Sequence, residues 1–286
     1  MALGNLAQRV LVAVVAVPVL LVILHYHRPE PTWALIFAAT LVALHEFFAM
    51  TLPPEDRTAA VVMGGLASAA FYWCDPLALA GYGSSRALHA LAVAGASVPL
   101  VLAVVVPGLY YLFRFRDIPS VAGRYAATVA GIVYAGFLPT FLVKLKLIDP
   151  YQGGDTVLVV LLVAWVADTG AYFAGRFLGK AKLYEAVSPK KTWAGAWGGL
   201  AGSLLGVVVL KLAFADFLSW VDVVLIAIPG GILGQLGDLA ESLIKRSVGV
   251  KDSGALLPGH GGILDRIDAV LFIAPYVYAY LTIRMM

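Results

Sequence analysis

Long apolar runs are the feature that most restricts what this chain can fold into. Runs of about 17 to 25 apolar residues recur from one end to the other, and each could cross the hydrocarbon core of a bilayer as a helix. Helices are expected because no water inside a bilayer can satisfy stray backbone groups. The composition agrees, since only 13% of the residues are charged, against about one-quarter in soluble domains. We therefore predict an all-α, polytopic integral membrane protein.

The apolar runs divide the chain into about nine predicted transmembrane helices, although eight or ten fit the same pattern. The third run contains Asp75 and Pro76. The fourth is long and contains Pro99 and Pro107, which favour a tilt or a break. The predicted spans are 9–26, 33–50, 59–81, 87–113, 121–143, 155–175, 194–215, 221–243 and 267–284.

The positive charges predict the orientation. With nine spans, most of the 20 Lys and Arg residues fall on the same side as the N-terminus. Because cytoplasmic loops carry an excess of Lys and Arg, we predict a cytoplasmic N-terminus. The single cysteine, Cys74, excludes an internal disulfide and a metal site built from cysteines.

The two halves of the chain differ in polarity. In residues 1–150 the spans are rich in Ala, Val and Leu, and His45-Glu46 is the only polar pair near an apolar run, so we predict N-terminal scaffold helices. In residues 151–286 ionisable residues enter the spans themselves, which predicts the catalytic region of one continuous membrane domain. These residues are Asp168, Asp238 and Glu241, and the two longest polar connections, 176–193 and 244–266, lie in the same half.

Glycines recur at four-residue steps in the seventh predicted span, as Gly198, Gly202 and Gly206. Small residues at this spacing let two helix backbones approach closely in a membrane. We interpret this pattern as helix packing.

A polar stripe runs along the eighth predicted span. With 3.6 residues per turn, Gln235, Asp238, Glu241, Ser242 and Lys245 share one face, which cannot face lipid. Acidic residues in a span indicate a functional site by default. The alternative, that Asp238 pairs with a buried Lys or Arg to fix helix packing, stays open.

A glycine-rich loop, Pro258 to Gly262, follows this span. Glycine permits the close approach of backbone N–H groups to an anion, and we favour a phosphate contact for His260. The next helix carries Asp265 and Asp268 on one face. Carboxylates from two helices beside such a loop suggest a Mg²⁺ site, because Mg²⁺ prefers one or two carboxylates with substrate phosphates and water.

The third polar block begins at Asp168, about two turns before its span ends. A basic connection follows, and its Ser188-Pro-Lys-Lys-Thr192 segment stands at a helix start, where free N–H groups favour an anion. Contact with anionic lipid head groups would explain part of the same basic charge.

These blocks together resemble the signature of the phosphatidate cytidylyltransferases, also called CDP-diacylglycerol synthases. The resemblance is carried by Ser242-Leu-Ile-Lys245-Arg246, Lys251-Asp252 and Pro258-Gly-His-Gly-Gly-Ile-Leu-Asp265-Arg266-Ile-Asp268, with similar blocks at Asp168, Gly179-Lys180, Ser188 and Gly234. It is strong over about 165–270 and weak before.

The resemblance implies transfer of a cytidylyl group from CTP to phosphatidic acid, with release of pyrophosphate, for phospholipid biosynthesis. It implies Mg²⁺ as cofactor and leaves a second cation open. The implied catalytic residues are Asp238, Asp265, Asp268, Lys245 and Arg266. The implied metal ligands are Asp238, Asp265, Asp168 and Asp268. The implied substrate-binding residues are Ser188, Lys190, Lys191, Thr192, Lys180, Arg246, Lys251, His260, Gly261 and Gly262.

The expected partners are CTP, phosphatidic acid and membrane lipid, without nucleic acid, and a homodimer is left open. We expect a bacterial inner membrane with the active site facing the cytoplasm. Two other functions remain as alternatives, since a cation-coupled transporter also has carboxylates within its spans, and another lipid-directed kinase or phosphotransferase would share magnesium and basic loops.

Overall fold

The computed structural model describes residues 5–74, 93, 95, 97–114, 117–149, 151–254 and 261–285. Most of them are helical, as the apolar runs predict. The elements are α1 (Asn5–His25), α2 (Glu30–Thr51), α3 (Pro54–Trp73), α4 (Ser97–Arg114), α5 (Ile118–Gly131), a π-helical segment (Ile132–Phe137), α6 (Thr140–Ile148), α7 (Gly153–Leu178), β1 (Lys182–Tyr184), β2 (Ser188–Thr192), α8 (Trp193–Ala213), α9 (Trp220–Ser247) and α10 (Leu264–Met285).

Seven helices within the described residues are long and apolar enough to cross a membrane. They are α2, α4, the continuous stretch Ile118–Ile148, α7, α8, α9 and α10. The predicted spans 9–26 and 59–81 correspond to α1 and α3, which are not among the seven, so the count of nine stays a prediction. Residues 75–81 of the third predicted span, and 87–92, 94 and 96 of the fourth, lie outside the described residues.

The fifth predicted span is a helix of three parts. A π-helical segment follows α5, and within it the Leu138 N–H donates to the Val133 carbonyl, five residues back, at 3.2 Å. Pro139 then precedes α6. A hydropathy pattern does not reveal such an insertion, because all three parts are apolar.

The glycines of α8 lie against α7, as the four-residue spacing predicts. A Cβ atom on Gly202 would come within 2.3 Å of the Val166 carbonyl oxygen, and one on Gly198 within 2.2 Å of Ala174 Cβ. The two backbones are therefore nearly in contact, and α7 and α8 form one closely packed pair.

The polar connection between α7 and α8 contains a small β-hairpin that the all-helical prediction did not include. Strands β1 and β2 are antiparallel and pair Lys182 with Thr192 and Tyr184 with Ser188. The Ser188–Thr192 segment is therefore a strand that leads into α8. Thr192 caps this helix, and its Oγ1 accepts a hydrogen bond from Gly195 N at 3.1 Å.

The hydrophobic core has two main parts. One buries side chains of α6 to α10, with Val159, Val207, Ile226 and Ile273 among them. The other joins α2, α3, α4 and the π-helical segment to α10, through Leu264 and Leu271. Helix α10 thus contacts both halves of the chain.

An ion-pair network joins the starts of α3 and α5. Arg124 of α5 lies 3.3 Å from Asp56 and 3.2 Å from Asp117, the residue that caps α5. Hydrogen bonding to Ser120 and the nearby guanidinium lower the pKa of the Asp117 carboxyl below its usual value. This network orders the scaffold half near the helix ends.

Candidate active site

A cavity of about 520 Å³ is lined by α7 to α10 and the hairpin. All four predicted metal-binding carboxylates line it: Asp168 on α7, Asp238 on α9, and Asp265 and Asp268 on α10. The predicted phosphate contacts at its wall are Lys190, Lys191, Thr192 and Arg266. Three blocks that are far apart in sequence therefore meet at one place.

Asp238 pairs with a lysine at the edge of this cavity. Its Oδ2 lies 2.7 Å from Lys191 Nζ of β2, and its Oδ1 accepts a hydrogen bond of 3.4 Å from Ser242. The Asp238 side chain is 35% exposed and that of Lys191 24%. The pair thus fixes the hairpin against α9, as the packing alternative expects. The Asp238 side chain stays partly exposed, whereas the Lys191 nitrogen itself is buried.

Lys245 is buried behind the cavity. Its ammonium group donates to Glu241 on the same helix and, at 2.5 Å, to Asp265 Oδ1 on α10. The Lys245 side chain is only 9% exposed, so its charge is used within the protein to join α9 to α10. Its predicted catalytic role stays a prediction.

Asp265 is held on both carboxylate oxygens. While Oδ1 receives Lys245, Oδ2 accepts hydrogen bonds from Ser253 N at 3.0 Å and from Gly262 N at 2.8 Å. Gly261 has a φ of +78°, a conformation that glycine adopts without strain. Asp265 therefore closes the loop that precedes α10, and its second predicted role, as a metal ligand, would require it to exchange a partner.

Asp168, Asp238 and Asp268 lie close enough to influence one another electrostatically. Lys191 and Arg266 act on Asp168 with the opposite sign. Among the described residues, no three His, Cys, Asp or Glu side chains form a ready-made metal site. One or two carboxylates facing a cavity nevertheless suit Mg²⁺, which takes its other oxygens from substrate phosphates and water.

The remaining predicted substrate-binding residues do not line the cavity within the described part of the chain. Arg246 is exposed and donates to the Val250 carbonyl at 2.9 Å. His260 lies outside the described residues. The others are Ser188, Lys180, Lys251, Gly261 and Gly262.

Four residues that the sequence analysis did not choose belong to this region. Tyr172 and Arg176 line the cavity from α7, and the Arg176 guanidinium donates to the Tyr172 hydroxyl at 2.7 Å. Tyr134, in the π-helical segment, lies near Glu241 and Asp268, and no partner for its hydroxyl is found among the described residues. Glu46 of α2 contacts the loop before α10.

The sequence pattern only partly indicated that Glu46 belongs to this region and did not indicate Tyr134. Glu46 was visible as part of the only polar pair near an apolar run of the N-terminal half, but nothing in the pattern indicated its partners. Tyr134 had no sequence signal, because a tyrosine in an apolar span is common.

The family profile and the relatives that match this chain are all cytidylyltransferases. The profile of the Cytidylyltransferase family matches residues 7–284. The phosphatidate cytidylyltransferase of Bacillus subtilis is 32% identical over 280 residues, which cover 98% of each chain. Those of Brucella suis and Staphylococcus haemolyticus are 44% and 52% identical over 151 and 125 residues. These two matches span about half of each relative, 55% and 48%.

Proposed function

Because the chain belongs to the cytidylyltransferase family, we propose that it transfers the cytidylyl group of CTP to phosphatidic acid. A phosphate oxygen of phosphatidic acid would attack the α-phosphorus of CTP as the bond to the β-phosphate oxygen breaks. The products would be CDP-diacylglycerol and pyrophosphate. The observation that carries the proposal is the convergence of acidic and basic residues of α7, α9, α10 and the hairpin on one cavity.

The charges of the cavity suit a reaction between two polyanions. CTP and phosphatidic acid repel each other, so holding their phosphates together should provide much of the catalysis. Lys190, Lys191 and Arg266 line the cavity and would bind phosphate oxygens. Lys191 already pairs with Asp238 at the cavity edge. To bind substrate, its ammonium group would have to move only from this carboxylate to a phosphate.

The carboxylates of the cavity would hold Mg²⁺. Asp238, with Asp268 and Asp168 beside it, is better placed than Asp265, because the Asp238 side chain is 35% exposed and that of Asp265 only 9%. Bound Mg²⁺ would neutralise charge on the triphosphate and on the leaving pyrophosphate. The ion is part of the proposal, as is any second cation.

We propose that the cavity faces the cytoplasm of a bacterial cell. The hairpin and its flanks are rich in basic residues, among them Arg176, Lys180, Lys182 and Lys190. Such residues remain on the cytoplasmic side of membrane proteins. A location in the membrane also suits a substrate whose acyl chains leave the bilayer at a cost of about 0.8 kcal/mol per CH₂ group.

The proposal is tested with purified protein, phosphatidic acid in mixed micelles, CTP and Mg²⁺. We expect radiolabel from [α-³²P]CTP in the lipid product, equimolar pyrophosphate, and loss of both when Mg²⁺ is chelated. Asp238→Asn should lower kcat by at least about 100-fold, since it removes a charged ligand of the proposed Mg²⁺, while the protein stays folded. Arg28→Ala, in the exposed loop between α1 and α2, is the matched control and should have normal activity.

The alternatives predict other results. Transfer from ATP instead of CTP would favour a lipid-directed kinase. Solute uptake into vesicles without any nucleotide would favour a transporter. Normal turnover of Asp238→Asn would exclude the proposed metal site.

A further inference from the structure

Glu46 is a buried carboxylate of the scaffold half. It contacts the segment that leads into α10, more than 200 residues later in the chain. Its side chain is inside the protein, with the residue only 4% exposed. Oε1 accepts a hydrogen bond from Ile263 N at 3.0 Å, and Oε2 accepts one from Leu264 N at 2.8 Å. Both donors are at the start of α10, where backbone N–H groups have no partner within the helix. Glu46 thus caps α10 from another helix.

A second contact connects Glu46 to Asp265. The Ser253 hydroxyl donates to Glu46 Oε2 at 3.2 Å, and Ser253 Oγ accepts a hydrogen bond from Asp265 N at 3.4 Å. Ser253 N in turn donates to Asp265 Oδ2 at 3.0 Å. Ser253 therefore binds both carboxylates, Glu46 through its hydroxyl group and Asp265 through its backbone N–H.

The loop fits closely around the Glu46 carboxylate. A Cβ atom on Gly262 would come within 2.5 Å of Glu46 Oε2, and one on Gly254 within 2.6 Å of Oε1. Only glycine leaves room for the carboxylate at these two positions. The close fit indicates that Gly254 and Gly262 each have one defined position relative to α2.

Helix α2 is itself firmly packed at this level. Leu44 and Phe48 are fully buried, and Phe47 is 3% exposed. Phe48 lies so close to Gly131 that a Cβ atom there would be 2.3 Å from its ring. Since densely packed side chains move little, α2 is a rigid support for Glu46.

We propose that Glu46 is a positioning residue for the transfer reaction, which holds the start of α10 so that Asp265, Arg266 and Asp268 face the cavity together. This role rests on the function proposed above. It also gives the scaffold half a specific task at the active site, through hydrogen bonds rather than contact with substrate.

The test compares Glu46→Gln with the wild type, as full-length protein in detergent or nanodiscs. The glutamine amide would place an N–H donor against the donors of Ile263 or Leu264, so the start of α10 must shift. We expect kcat to fall by about 10- to 100-fold, because a small misplacement of reacting groups lowers the rate by this much. The KM for phosphatidic acid should change little. Amide hydrogen exchange of residues 261–266 should become faster.

Asp222→Asn is the matched control. Asp222 is also a buried carboxylate that caps a helix start: it is 3% exposed, accepts from Ser219 N and pairs with Arg284 at 3.0 Å. It belongs to α9 but lies at the opposite end of that helix from Asp238 and Lys245. We expect Asp222→Asn to lower the melting temperature while kcat per folded molecule stays normal.

The outcomes separate the role of Glu46 from the proposed function. Should Glu46→Gln lower only the melting temperature, with wild-type kcat and wild-type exchange at 261–266, Glu46 would have no positioning role. If that variant does not fold, Ser253→Ala, which removes one hydroxyl from the same contact, must lower kcat and speed exchange, or the proposal fails. A wild-type protein that does not form CDP-diacylglycerol would overturn the proposed function, and this role with it.

Discussion

At the scale of single residues, the acidic side chains near the cavity have two different tasks. Asp168, Asp238 and Asp268 face the cavity and one another. Glu241 and Asp265 are instead joined by Lys245, so that one ammonium group links two helices. The sequence motif alone does not distinguish these tasks, because all five carboxylates stand in the same blocks.

We predict that Lys245→Met is strongly destabilising. The change removes the ammonium group that pairs with both Glu241 and Asp265 and leaves these two buried carboxylates without it, which typically costs about 3–5 kcal/mol. Thermal unfolding of the detergent-solubilised protein, followed by circular dichroism, measures the effect.

Lys211→Met is the control for this prediction. Lys211 is also a helical, partly buried lysine, but it donates to the Leu218 carbonyl and lies over the Trp220 ring. Its loss leaves no unpaired carboxylate, so we expect a smaller shift in melting temperature. Equal shifts in the two variants would show that the Lys245 ion pairs add nothing to stability.

At the scale of elements, the α7–hairpin–α8 unit positions one wall of the cavity. Its helices touch through glycine, and its hairpin carries Lys190 and Lys191 to the cavity. Spacing predicted the glycine contact, because a four-residue repeat lies on one helix face. The hairpin was not predicted, since its two short strands lie in a basic, polar connection without an alternating apolar pattern.

We predict that Gly202→Ala separates α7 from α8. The new Cβ atom would lie 2.3 Å from the Val166 carbonyl oxygen, which is backbone and cannot rotate away. Overpacking of this kind costs about 1–3 kcal/mol. The melting temperature of the purified protein should fall, and activity should fall with it.

Gly123→Ala is the matched control, because a Cβ atom on Gly123 of α5 would meet nothing within 4 Å. We expect it to be neutral or to stabilise the helix by about 0.5–1 kcal/mol. A Gly202→Ala protein as stable as this control would contradict the close contact of α7 and α8.

At the scale of the whole molecule, the protein is a helical membrane protein whose two halves meet at α10. Leu264 and Leu271 of α10 belong to the core of the N-terminal half, and Glu46 caps its first turn. The proposed division into scaffold and catalytic regions stays a prediction, and α10, which packs against the N-terminal half, also lines the cavity.

We predict that the hairpin is cytoplasmic and that the connection before α7 is external. Tyr151 and Lys182 are exposed and stand at opposite ends of α7, which at 26 residues is about 39 Å long. In a Cys74→Ala background, Tyr151→Cys should react with a membrane-impermeant maleimide in intact cells. Lys182→Cys should react only in inside-out vesicles, and the reverse pattern would contradict the orientation.

The sequence by itself determined the class of fold, the approximate position of most spans and the polar blocks whose charged residues meet at the cavity. It could do so because length and hydropathy decide which segments cross a bilayer, and because a carboxylate in a span needs a polar environment. Helical periodicity also placed Asp265 and Asp268 on one face.

Only the tertiary structure decided which of these groups face the cavity and which hold helices together. Lys245 and Asp265 read as catalytic in sequence, yet they pair with each other, and only Asp265 of the two lines the cavity. Glu46 read as part of a scaffold, yet it holds a loop more than 200 residues away. Such contacts depend on how helices pack in three dimensions, and the order of residues along one helix contains no information about its partner.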